Sequence, residues 1–285
     1  MTPAHGIHDM PELDYHALRD TSLSASGAKL LVPPSTPAHY RWAMDHAQPT
    51  KKAFDLGTAA HALALGTGPE LVEIPEEILA KNGAASTADS KAFIAEARER
   101  GAIPLKADEL AQIRAMADAL RAHPIAGRLF TPGSGQPEKS LFWQDVNGVT
   151  RRARLDWLPS PTASGRLIIA DYKTSVCAEP SRWVRQAVDF GVHMQHANYV
   201  EGVTALGLTT DAALVFVVQE KAAPYLVSVI EIDTVGVSIG RDLMDMASRR
   251  FAHCHATGTW PGYGDQVHPV SLPAYYVMQI EGELS

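Results

Sequence analysis

The chain has 285 residues, 46% hydrophobic and 20% charged, with a formal net charge of −7. It is long enough for a full core, and its acid excess argues against a protein that coats nucleic acid over its whole surface, though not against a locally basic groove. The two cysteines, Cys177 and Cys254, are too few for a disulfide framework, a four-cysteine zinc site or a cysteine-ligated iron–sulfur cluster. Residues 1–20 are polar and irregular and are expected to be loosely held. They lack the basic and apolar regions of a signal peptide, and no later apolar run reaches the roughly 18 residues of a membrane span. A cytoplasmic protein with no membrane association is the expectation.

From residue 21 the pattern predicts one domain, helical over 21–130, with a catalytic sheet and helices over 131–260 and a tail over 261–285. "LSASGAKLLVPPSTPAHYRWAMD" (23–45) reads as two short helices, the first capped by Ser24 or Ser26 and ended by Pro33 and Pro34. "FDLGTAAHALALG" (54–66) has the composition of a buried helix, and "KNGAASTADSKAF" (81–93) that of an exposed loop. The segment 106–123 is a long helix by its apolar spacing. The period then changes. Segments 139–146, 149–158 and 166–174 read as consecutive strands, with a two-residue turn at Asn147-Gly148. A helix over 181–206, broken near Gly191, precedes strands at 212–220 and 225–233 and a helix from 235 to 257. The tail is rich in aromatic and turn residues. The expected fold class is α/β, a mainly antiparallel meander followed by a crossover helix, and no G-x-G-x-x-G stands between strand and helix to suggest dinucleotide binding.

The strand "RLIIADYKT" ends in Asp171 and Lys173, charged groups that burial penalises when unpaired. If it forms a hairpin with 149–158 through Thr162-Ala163-Ser164-Gly165, Asp156 faces Asp171 and Arg154 faces Lys173. Pro159 and Pro161 leave open a bulge that would shift this register by one. Opposed carboxylates repel unless a cation sits between them, and a small set of hard oxygen ligands suits Mg2+ or Mn2+. Such an ion serves phosphate chemistry. Asp89-Ser90-Lys91 repeats the D-x-K spacing, but without a preceding strand or partner acid, and reads as surface.

Asp156, "IIADYKT", and "QHANY" with Gln195 and Tyr199, together with His61 in "GTAAHAL", resemble the PD-(D/E)xK nuclease superfamily, in its branch of RecB-type and RecE-type exonucleases. The nearest resemblance is to RecE-like exodeoxyribonucleases (exodeoxyribonuclease VIII type) of phages and prophages, over about residues 23–276. It implies a restriction-endonuclease-like core with a central mixed sheet flanked by helices. It also implies metal binding by Asp156, Asp171, His61 and the Tyr172 carbonyl, a water-activating Lys173, and Gln195 and Tyr199 steadying the site. Glu138 matches an acid that some relatives carry before the first strand, and Asp171 stands where many members have glutamate. The implied activity is 5′ to 3′ degradation of linear duplex DNA by a ring-shaped homo-oligomer, leaving 3′ tails for a RecT-like annealing protein.

Other readings stand beside these. His61 is otherwise a hydrogen-bonded core histidine, and Gln195 and Tyr199 pack helix on sheet. The remaining histidines, His193, His196, His253 and His255 among them, read mostly as surface. Positive residues cluster at Lys51-Lys52, at Arg151 to Arg154, at Arg182 with Arg185 and at Arg249-Arg250. Arg152 and Arg154 share the strand face of Asp156 and either contact DNA phosphates or balance the aspartates, while Arg151 points away. Arg41 is a weaker candidate for a terminal phosphate. As alternatives to the exonuclease stand a non-catalytic DNA-end scaffold, disfavoured by the opposed carboxylates, and a structure-specific endonuclease.

Overall fold

In a computed structural model of the protein, residues 3–46, 54–161 and 166–284 are described. The Lys51-Lys52 pair and the loop Thr162 to Gly165 lie outside them. In chain order the elements are β1 (Gly6–His8), α1 (Glu12–Ala17), α2 (Ala25–Lys29), α3 (Pro37–Asp45), α4 (Phe54–Leu65), β2 (Leu71–Glu73), α5 (Ala88–Glu99), β3 (Ile103–Leu105), α6 (Ala107–Ala122) and α7 (Ala126–Leu129). Then follow β4 (Gly135–Gln144), β5 (Thr150–Pro159), β6 (Arg166–Ser175), α8 (Pro180–Phe190), α9 (Val192–Ala205), β7 (Asp211–Glu220), β8 (Val227–Glu231), α10 (Thr234–Thr257) and α11 (Ala274–Leu284).

The central sheet runs β1-β4-β5-β6-β7-β8 and is mixed: β6 and β7 pair in parallel over ten residues, and the other neighbours are antiparallel. A parallel pair requires a crossover, which α8 and α9 supply. Gly191, at φ 71°, breaks the two helices where the sequence predicted. Helices cover both faces of β6 and β7, which is why these strands read as near-continuous apolar runs. On one face Leu167, Ile169, Phe216 and Val218 pack with Trp183, Ala187 and Val203 of α8 and α9. On the other, Ala170, Tyr172 and Val217 meet Ala59, Ala60 and Leu65 of α4 and Ile113 and Met116 of α6. A third cluster packs α2 and α3 on α9 and α10 through Leu31, Tyr40, Met194 and Phe251.

Local signals explain several boundaries. The Ser24 hydroxyl accepts from Gly27 N–H and caps α2, so of the two candidate caps it is Ser24 that acts. Four expectations need correction. Of the first twenty residues, 6–8 and 12–17 are tied down, since β1 pairs with β4 and α1 buries Tyr15. Residues 88–93, expected in a loop, open α5, because Thr87 caps it by accepting from Ser90 N–H. The β4–β5 turn is a three-residue loop, Val146 to Gly148, closed by Asp145 N–H to Val149 O. Gly148 alone takes positive φ, and the Asp145 carboxylate accepts from Asn147 and Val149 N–H. His196 is buried rather than at the surface, because its helix α9 packs against α10, β5 and β7, and burial pushes its pKa down to about 4. The β2–β3 pair and α11 had no counterpart in the sequence reading.

Candidate active site

The β5–β6 pairing aligns Trp157 with Ala170, and one step further along the same register Asp156 falls opposite Asp171. At that point side-chain bonding replaces the ladder: Tyr172 N–H donates to Asp156 Oδ2 at 2.8 Å. Asp156 Oδ2 also lies 3.2 Å from His61 Nε2, presented by α4. The Asp171 side chain is 1% exposed. Its Oδ1 accepts from Gln195 Nε2 on α9, and its Oδ2, without a directed hydrogen bond, stands 2.5 Å from Lys173 Nζ. Each carboxylate thus has its own cationic partner.

These contacts set the protonation preferences. Burial pushes the Asp171 carboxyl up to about 6, opposed by Lys173 and reinforced by repulsion from Asp156. Burial also penalises ionised Asp156, but His61, Lys173 and the Tyr172 N–H outweigh it and hold this carboxyl below the usual range. Burial disfavours the His61 and Lys173 cations as well. The neighbouring carboxylates, Asp156 foremost for His61 and Asp171 for Lys173, overcome this and raise both pKa values.

Asp156, His61, Tyr172, Lys173, Gln195 and Tyr199 all line one cleft of ≈ 910 Å³, whereas Asp171 is buried and is not among the lining residues. Gln195 and Tyr199 share a face of α9, and the Tyr199 hydroxyl donates to Arg154 O at 2.6 Å. Glu138 lies within β4 rather than before it, because the strand begins at Gly135. Its φ of 53° interrupts the pairing with β5 and sends its carboxylate to Arg154 Nη2 at 2.9 Å, with His61 Nδ1 4.0 Å away. The arginines are engaged too. Arg154 also donates to Met10 O, and Arg152 lies over the Tyr15 ring and donates to Tyr15 O. Neither pairs with Asp156 or Asp171, so charge balance for the aspartates falls to His61 and Lys173. Arg41 is not in this cleft; it pairs with Asp45 and Asp20 and stacks on Trp260. Arg249 is paired with Asp245, and Arg250 donates to Leu31 O.

Residues 24–272 match a family described as "PDDEXK-like domain of unknown function (DUF3799)". The chain belongs to this family. Among solved structures, a crystal structure of a protein from Eubacterium rectale, described as an exonuclease by provisional assignment, superposes with a TM-score of 0.60 at 11% identity, covering 96% of this chain and 98% of that one. This likeness shows the fold. No curated protein matches. Among the described residues no helix is long and apolar enough to cross a membrane.

PDDEXK-like nucleases generally use divalent metal ions. Among the described residues no three His, Cys, Asp or Glu side chains form a ready-made cage, so the expected set of His61, Asp156, Asp171 and the Tyr172 carbonyl is not preassembled. The physical reason is that His61 and Lys173 already occupy the carboxylates. The donor chemistry still fits a hard cation: both ligands are carboxylates, and burial, reinforced by repulsion from Asp156, pushes the Asp171 carboxyl up even with Lys173 beside it. The sequence reading missed Asn198, which is fully buried and holds Arg151 and the carbonyl of Arg152. Its place between Gln195 and Tyr199 in "QHANY" was the available signal. It also missed Glu12 and Tyr15, which line the cleft from a segment with no local signature.

Proposed function

We propose that this PDDEXK-like protein is a Mg2+- or Mn2+-dependent exodeoxyribonuclease that degrades linear duplex DNA 5′ to 3′ and leaves 3′ single-stranded tails. One observation carries the hydrolytic reading: Asp156, Lys173 and His61 line a single cleft, and Asp171, buried on the strand next to that of Asp156, is paired with Lys173. Asp156 and Asp171, with His61 and the Tyr172 carbonyl, would hold the ion, which when bound supplies Lewis-acid stabilisation and an activated water. Lys173 then orients the attacking water and offsets charge developing on the phosphate. Gln195 fixes the rotamer of Asp171, and Tyr199 holds the backbone of Arg154. Arg154, on the cleft wall and shared with Glu138, is the arginine placed to take a phosphate of the bound strand, whereas Arg152 is buried over Tyr15 and supports the wall.

Direction, end dependence and a RecT-like annealing partner rest on the resemblance to RecE-like enzymes. So does a ring-shaped homo-oligomer, which would let an acidic protein keep its cations inside a channel, with affinity falling steeply as salt rises. The test is digestion of linear duplex labelled at either end, and of closed circular plasmid, with Mg2+ or chelator, for the natural chain and Lys173→Ala. Loss of label from 5′ ends, intact plasmid and an inert variant are expected. Plasmid cleavage would instead make the protein an endonuclease, and unchanged hydrolysis by the variant would remove Lys173 from the mechanism.

A further inference from the structure

Along α8, Trp183, Ala187 and Phe190 follow at helical spacing and so share one face. Trp183 and Ala187 are buried against the sheet. Phe190, on the same face, is 71% exposed and lines the cleft that holds Asp156, Lys173 and Gln195. A large aromatic ring on the core-facing side of a helix is ordinarily covered, because its exposure forfeits apolar burial. Here the helix stops at Gly191, whose left-handed conformation ends α8 and opens α9, and Phe190, the last residue of α8, stands exposed on the cleft wall.

A cation accompanies the ring. The stem of Lys29, at the end of α2, passes so close to Gly191 that a β-carbon there would sit 3.4 Å from Lys29 Cδ. That distance is ordinary van der Waals contact, so it is the positive φ that calls for glycine at 191, and the Lys29 stem simply lies against the turn that follows Phe190. Among the described residues no carboxylate pairs with Lys29. Ser24 and Ser26, at the start of the same helix as Lys29, also line the cleft.

An exposed ring, with the stem of an uncommitted lysine lying against the next residue, offers what single-stranded nucleic acid uses: a base stacks on the ring and a cation within reach holds the backbone phosphate. We infer that Phe190 and Lys29 form a nucleobase-stacking subsite on the cleft wall, which takes an unstacked base of the strand whose backbone runs past Lys173. This rests on the nucleic-acid reading of the cleft and extends it, since it says that the enzyme grips a frayed, single-stranded end. Phe190 is a stacking residue, remote from bond breaking.

The inference is tested without catalysis, in chelator, on the full-length protein with duplex DNA carrying 2-aminopurine at the terminal position or several positions inside. Binding by the natural chain should change the fluorescence of the terminal probe and not of the internal one. Phe190→Ala should abolish that change and weaken binding about 5- to 150-fold. Phe190→Trp should restore both, and Lys29→Gln should weaken binding and flatten its salt dependence. Phe190→Ala, at an exposed position, should melt as the natural chain does. If Phe190→Ala binds with the same affinity and fluorescence response, the subsite is overturned while the nuclease reading stands. If the natural chain binds no DNA at all, both fall. If Phe190→Ala alters only the oligomeric state, the ring is a protein contact and the inference is wrong.

Discussion

The chain writes Asp-x-Lys twice, at Asp89-Ser90-Lys91 and at Asp171-Tyr172-Lys173, and folds the two copies differently. The first lies in the opening turn of α5, where residues two apart point to opposite sides; Asp89 and Lys91 are exposed and only Ser90 is buried. The second lies on β6, where residues two apart share a face, so Lys173 Nζ meets Asp171 Oδ2 at 2.5 Å. Identical spacing gives a solvated pair in one period and a buried ion pair in the other. What makes the second copy a site is the strand beneath it, with Asp156 on the adjoining strand and Gln195 on the helix above.

The sharpest way to break this comparison is to remove the same charges from each copy. Lys173→Ala should lower DNA hydrolysis by about 10²- to 10³-fold, as expected for loss of a group that stabilises developing charge, and Asp156→Asn or Asp171→Asn by at least as much. Asp89→Asn and Lys91→Ala should leave the rate within about twofold and stability within ~0.5 kcal/mol. Equal losses at both copies, read in initial rates, would end the distinction.

Next in size is pH. Asp171 keeps its proton up to about 6 in the folded chain, whereas the unfolded chain releases it around the ordinary value of 3.8. Between these values only the unfolded state sheds a proton, so metal-free protein should lose stability as pH rises through that window, by at most about 3 kcal/mol. Asp171→Asn should flatten the profile, and Mg2+ should restore stability above pH 6 by binding the ionised form. Melting curves from pH 4 to 7, with chelator or Mg2+, check the sign. Asp89, exposed on its helix, gives the control.

Smaller effects probe the supports of the second copy. Gln195→Leu removes the donor to Asp171 Oδ1 and should cost about 10- to 100-fold in activity or Mn2+ affinity, the usual range for a group that orients a ligand. Tyr199→Phe deletes the bond to Arg154 O and should cost about 1 kcal/mol, a fall of roughly 2–4 °C in melting temperature with little change in rate.

Much of the sheet was legible because apolar runs bounded by turn residues mark strands whatever surrounds them. The register that sets Asp156 opposite Asp171 followed from loop length alone, and the break at Gly191 from a glycine in a helical pattern. The N-terminal strand, Tyr15 under Arg152 and the cap that turns residues 88–93 into a helix were not legible in the same way. β1 is three residues long and exists only because β4 offers it an edge.

By itself, then, the sequence determined which residues carry charge into the core and the spacing at which they can meet, since strand period and loop length are local properties. Only the tertiary structure decided which partner each charge takes. Asp156 goes to His61 and Asp171 to Gln195 because α4 and α9 pack on opposite faces of one sheet, and Glu138 goes to Arg154 because β4 lies beside β5. It likewise decided that Phe190, on the core-facing side of its helix, would stand uncovered on the cleft wall, a position that helical periodicity alone assigns to the interior.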